Sequence, residues 1–221
     1  MRASDLAYET LRDDILNWRI APGTALSETE LALSLGVSRT PLRSALARLA
    51  LEGLVDTSRG RTGVVPDVSV EGIAELFEVR EALELQAARL AARRRDPAVF
   101  AALAESFGHA TETLEAGGTD AYYEVVARFD AAMDDAVANP AMRAALDTVR
   151  VHLVRARRLA QDNPDRLLRA AAEHRLICEA VRDGDAELAA SATAVHLRGS
   201  LTTITATLQQ RADDHPTQEG A

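Results

Sequence analysis

The sequence predicts a mostly α protein in two parts: an N-terminal winged helix-turn-helix of three helices and a small β-hairpin wing, then an all-α antiparallel helical bundle. Three observations carry this. Alanine, leucine and arginine abound, aromatic residues make up 4% and lysine is absent, a composition that favours long helices. Short amphipathic segments near the N-terminus are closed by Pro-Gly and Gly turns, and a Gly-flanked basic turn follows them. Beyond residue 70, apolar helical spacing runs between Asp-Pro, Gly-Gly and Asn-Pro punctuation. A chain of 221 residues is long enough for two small cores.

The first helix is expected over residues 5–18, where Leu6, Leu11, Ile15 and Trp18 fall near helical spacing before Pro22-Gly23. Ser27 followed by Glu30 makes a capping box for a short second helix that Gly36 closes. The third helix is expected to take Thr40 as its cap, with Pro41 at its first position, and to stop at Gly53. Its Leu42, Ala45, Leu46 and Leu49 share one face, leaving Arg43, Ser44, Ala47 and Arg48 on the other. Short strands near 55–57 and 63–65 flank the turn Arg59-Gly60-Arg61-Thr62-Gly63 and read as a hairpin wing. The domain reading is thus 1–66 as the winged helix-turn-helix, 67–70 as linker, 71–210 as an all-α domain, and 211–221 as a disordered tail. Within the second domain, helices are expected at 70–94, 97–116, 119–138, 141–161, 165–183 and 185–210.

Composition narrows the function. No apolar run approaches a membrane span, the N-terminus lacks a secretory pattern, and a single cysteine excludes an internal disulfide framework, so a cytoplasmic setting is expected. The net charge of -9 opposes nucleic-acid binding by the chain as a whole. Distribution reverses that inference locally, because residues 39–61 hold five arginines against Glu52 and Asp56. Arginine suits base reading, since its fork can bond guanine O6 and N7 together.

The segment LSETELALSLGVSRTPLRSALARLALEGLV, with the Pro-Gly turn ahead of it, resembles the DNA-binding core of the GntR family over residues 5–66. The resemblance implies a ligand-responsive transcriptional regulator, most commonly a repressor, that binds double-stranded operator DNA as a homodimer. It also implies that Arg39, Thr40 and Arg43 meet bases and phosphates and that Gly60 lets the wing tip approach the minor groove. Thr29 stands where a fatty-acid-responsive member has arginine. Arg48 and Arg61 are assigned to phosphate on charge alone.

The stretches AELFEVREALELQAARLAA and RAAAEHRLICEAVRDGDAELAASATAVHL are similar to the opening helix and closing pair of the FCD domain, framing residues 69–210 in its six-helix, VanR-like branch. That likeness implies a small carboxylate effector and one divalent metal ion held by one Asp and three His. The chain departs from the pattern, because Val126 occupies the first ligand position and Asp130 the second. Asp130, His174 and His196 remain, a set suited to zinc, nickel or manganese with positions open for a carboxylate. His152 and Asp134 are secondary candidates. Arg80 and Arg155, with Arg157 and Arg158 beside the latter, are the cations that could pair with an acidic effector. A structural reading competes for Arg80, which lies among Glu78, Glu81 and Glu84 at salt-bridge spacing. Two rival functions are a metal-dependent enzyme and a metabolite-binding dimer that does not bind DNA. No nucleophile-base pair, phosphate loop or HExxH supports the first, and Arg39, Thr40 and Arg43 oppose the second.

Overall fold

The computed structural model describes residues 2–58, 63–158 and 163–214. Its elements are α1 (Ala3–Leu16), β1 (Ala25–Leu26), α2 (Glu28–Leu35), α3 (Arg39–Leu51), β2 (Gly63–Val64), α4 (Val70–Arg94), α5 (Pro97–Gly108), α6 (Ala110–Val137), α7 (Pro140–Arg158), α8 (Pro164–Asp183) and α9 (Ala186–Asp214). Two compact units divide the chain. The first holds the residues up to Ser69 with the segment Arg150–Ala156, and the second holds Val70–Val149 and the chain from Arg157 on.

In the first unit, Leu11 and Ile15 of α1 pack with Leu42, Ala45, Leu46 and Leu49 of α3 into a core closed by Leu26, Leu54 and Val65. The face expected from the spacing of α3 is therefore the buried one. Its start differs from expectation: the cap is Ser38 rather than Thr40, so Arg39 and Thr40 open the helix and Pro41 sits at its third position. Proline is tolerated there because the first-turn N–H groups have no intrahelical acceptor. The hairpin also needs correction. β2 pairs antiparallel with β1, Ala25 opposite Val64 and Leu26 opposite Gly63, while the strand expected at 55–57 contributes one bridge, Asp56 to Val64. The apolar Ala25-Leu26 pair was too short to carry a strand period. Residues 59–62, the tip expected for the wing, lie outside the described set.

The elements of the second unit are all helices among its described residues. α4 packs along α9, α8 lies against α5 and α9, and α6 lies against α4 and α5. Alanine provides much of the seam: Ala87, Ala88, Ala91 and Ala92 of α4 are buried with Ala189 and Ala192 of α9, small side chains that let helix axes approach closely. The expected punctuation works as caps. Asp96 accepts from the N–H of Ala98, Asn139 from those of Ala141 and Met142, and Asn163 from that of Arg166.

Two boundaries move. The helix expected over 97–116 stops at Gly108, where His109 leaves the helical conformation, and α6 then runs through the Gly117-Gly118 pair that was expected to end it. Gly118 takes φ 66° and ψ -161°, a conformation open mainly to glycine, so the pair produces a kink rather than a terminus. At the other end α9 continues to Asp214, so residues 211–214 of the expected tail are helical. Among the described residues, no helix is long and apolar enough to cross a membrane.

Candidate functional site

The first candidate surface is built on α2 and α3. Arg39, Thr40, Arg43 and Ser44 are exposed on the opening turns of α3, opposite the buried leucine face. The side chains of Arg39 and Arg43 are held by the preceding helix. The Nε of Arg43 donates to both carboxylate oxygens of Glu28, at 2.9 Å and 3.1 Å, and Nη2 of Arg39 donates to the hydroxyl of Thr29 at 3.3 Å. Glu28 sits here because Ser27 caps α2, accepting from the N–H of Glu30, which fixes Glu28 as the first helical residue. An acid in that turn also suits the positive end of the helix dipole. Between α3 and the base of the sheet lies an open groove of about 590 Å³ lined by Glu28, Arg43, Ala47, Leu51 and Val55.

Arg48 behaves differently from Arg39 and Arg43. Its guanidinium lies 3.6 Å from the centre of the Tyr8 ring and donates to Asp5 at 3.0 Å, so it ties α3 to α1. The phosphate role assigned to it on charge alone finds a structural competitor here. Tyr8 in turn donates to Glu52, which Arg12 also contacts. Gly60 and Arg61 lie outside the described residues.

The second candidate lies among α5, α6, α8 and α9. His174 and His196 converge as the α8–α9 hairpin predicts, with ring centres 4.3 Å apart. The His174 ring stacks on Phe107 at 4.9 Å and meets the edge of Phe129 at 5.0 Å, which fixes it in an apolar slot. His196 is oriented by its Nδ1, 2.8 Å from Glu173 Oε2. The same oxygen accepts both terminal nitrogens of the buried Arg166 at 2.9 Å, and Arg166 also donates to the hydroxyl of Ser200 at 3.0 Å. Burial pushes the Glu173 carboxyl above its ordinary range, with the Arg166 charge and hydrogen bonds opposing the rise.

The residues carried over from the metal-binding pattern meet this site unevenly. Val126 is buried in the core, so a hydrocarbon stands at the first ligand position. Among the described residues no three His, Cys, Asp or Glu side chains are grouped as a metal centre. The donors as placed are two converged imidazoles, one already bonded to a carboxylate; they do not fit the full four-ligand centre.

Of the cations, Arg80 is buried on α4, with Nε and Nη2 on the Glu84 carboxylate at 2.8 Å and 3.3 Å and its guanidinium over Phe77. The surface salt bridge weighed for it is thus an interior pair. Arg155 belongs to the first unit, where its Nη2 donates to the carbonyl of Pro66 at 2.6 Å. His152 is in that unit as well, bonded to the backbone of Glu52. The side chains of Arg157 and Arg158 are outside the described set. Glu28, Arg166, Glu173 and Phe107 were missed by sequence reasoning. Arg166, Ala170, Glu173 and Ile177 follow helical spacing with His174 beside them, a signal that could have exposed the first and third.

The family model described as "Bacterial regulatory proteins, gntR family" matches residues 3–65, and that of the FCD domain matches residues 75–199, more than half the chain. The chain belongs to the GntR family. This GntR regulator is 35% identical over 86% of its length to an uncharacterized HTH-type transcriptional regulator in an unstable DNA locus of Streptomyces ambofaciens, covering 80% of that protein. It is 31% identical to a probable D-xylose utilization operon transcriptional repressor of Paenarthrobacter nicotinovorans, over 85% of this chain and 82% of the other. The solved structure of McbR/YncC from E. coli shares the fold, with a TM-score of 0.72, 23% identity and coverage of 96% of this chain and 99% of that one. The GntR assignment makes the chain a transcriptional regulator with an FCD domain and not an enzyme.

Proposed function

We propose that the protein is a dimeric repressor that binds a short palindromic operator through α3 and releases it, or binds it less tightly, when a small carboxylate occupies the second unit. One observation carries the DNA half of this reading. Arg39, Thr40 and Arg43 stand exposed together at the N-terminal end of α3, the end from which a recognition helix reaches base edges in the major groove. The D-xylose operon relative, described as a probable repressor, supports the sign of regulation.

For the effector, Arg166, His174 and His196 bring cationic and imidazole donors to one place, the chemistry that pairs with a carboxylate. Arg80 is the further candidate, provided an acid displaces Glu84 from it. A divalent zinc, nickel or manganese ion stays a proposal of the family resemblance, for which His174 and His196 are the donors present and Asp130 the third by position.

The test is operator binding. A duplex selected from a random pool by the full chain should bind far more tightly than a shuffled duplex, and affinity should fall steeply with salt as phosphate counterions are released. Arg43→Ala should lower operator affinity about 10- to 100-fold, in keeping with the roughly 1–3 kcal/mol worth of one bidentate base contact. Unchanged affinity in that variant would remove α3 as the reading element.

A further inference from the structure

We infer that Glu28 is a specificity-determining positioning residue: it holds Arg43 by its Nε edge so that the guanidinium reads a base instead of settling on a phosphate. This rests on the DNA-binding reading of α3 given above.

The geometry is asymmetric. Both oxygens of Glu28 converge on the one Nε–H of Arg43, at 2.9 Å and 3.1 Å. Among the described residues the two terminal nitrogens of Arg43 have no protein hydrogen bond, which leaves the pair able to fork onto guanine O6 and N7 facing outward. Structural stabilisation does not account for the contact. The Arg43 side chain is 66% exposed, and an exposed ion pair of this kind contributes little to folding stability. Its consequence comes instead on the DNA surface, where water is displaced and Glu28 stays close to the duplex. There Glu28 cancels the Arg43 charge, which removes one cation from the phosphate attraction shared by every sequence. A guanidinium tethered at Nε also loses less rotamer freedom when it meets its base than a free one.

Thr29 does the same for Arg39 more weakly, through a single neutral hydroxyl at 3.3 Å. The first turn of α2 thereby orients both recognition arginines, though neither Glu28 nor Thr29 need touch a base.

The experiment uses the full chain, the duplex that wild type selects from a random pool, and a shuffled duplex of equal composition, with affinities measured across a salt series. In Glu28→Gln the ratio of selected to shuffled affinity should fall about tenfold. Binding to the shuffled duplex should hold or strengthen, and its salt dependence should steepen by about one ion. In the Arg43→Ala background the same change should leave the ratio where Arg43→Ala alone puts it. Thr29→Val should lower the ratio by a smaller factor. An unchanged ratio in Glu28→Gln would sink the inference. So would an equal fall in the Arg43→Ala background, which would mean that Glu28 contacts a base itself, for instance a cytosine amino group. If the wild-type chain selects no sequence at all, the DNA-binding reading fails and the positioning role fails with it, a result distinct from wild-type selection that Glu28→Gln leaves intact.

Discussion

Single residues in this chain take their properties from burial more than from their own type. His152 shows it most directly. Burial lowers its pKa from the ordinary 6.5, the Arg155 charge lowers it further, and the contact with Glu52 opposes both. The folded chain therefore resists a proton that the unfolded chain accepts. A depressed pKa of this kind gives stability that is complete above pH 6.5 and is lost as pH falls below it. The urea midpoint of the first unit is expected to drop between pH 7.5 and 5.5, and His152→Gln should flatten that drop relative to wild type. Nothing in the sequence marked His152 for this, since one histidine among the leucines and arginines of α7 carries no sign of what it packs on. Arg48 and Arg80 make the same point: each was legible as a cation, but only the fold shows one lying on Tyr8 and the other interred with Glu84.

Elements were read best where a cap or a breaker sits in the sequence itself. Asp96-Pro97, Asn139-Pro140 and Asn163-Pro164 each begin a helix, because a short polar side chain satisfies a first-turn N–H and proline does not need one. Gly184 ends α8 in the left-handed conformation at φ 79°, and an added Cβ would lie 2.6 Å from Nη2 of Arg95. Gly184→Ala should thus destabilise the second unit by roughly 1–2 kcal/mol, the cost of a left-handed L-residue, with the displaced Arg95 adding to it. Denaturant titration of the variant checks this, and a loss below a few tenths would mean that the turn relaxes to another conformation. Gly117-Gly118 misled for a stated physical reason: a glycine pair permits a stop but does not impose one, and the apolar faces on either side keep both halves of α6 packed on the bundle. The strand at Ala25-Leu26 was invisible because two residues carry no period, and its pairing with Gly63-Val64 is long-range.

For the molecule as a whole, the proposed regulator is expected to sediment near twice the 23.7 kDa of one chain, since two recognition helices are needed for a palindrome. Metal content separates two forms of its effector site. About one ion per chain in untagged protein, lost in both Asp130→Ala and His174→Ala, would establish Asp130 with the two histidines as ligands. Protein that carries none, and that is unaffected by added metal, would place effector recognition on the arginines and imidazoles alone. What the sequence determined by itself was local: helix starts and stops, the buried face of α3, its arginine-bearing outer face, and the motif that marks the family. Those depend on residues within a turn or two of each other, so spacing suffices to reveal them. Only the tertiary structure decided which polar side chains meet. It placed Glu28 on Arg43, Glu173 between Arg166 and His196, and Arg155 on the Pro66 carbonyl, because such contacts join residues 7 to 89 positions apart and depend on how helices pack, which no local period encodes.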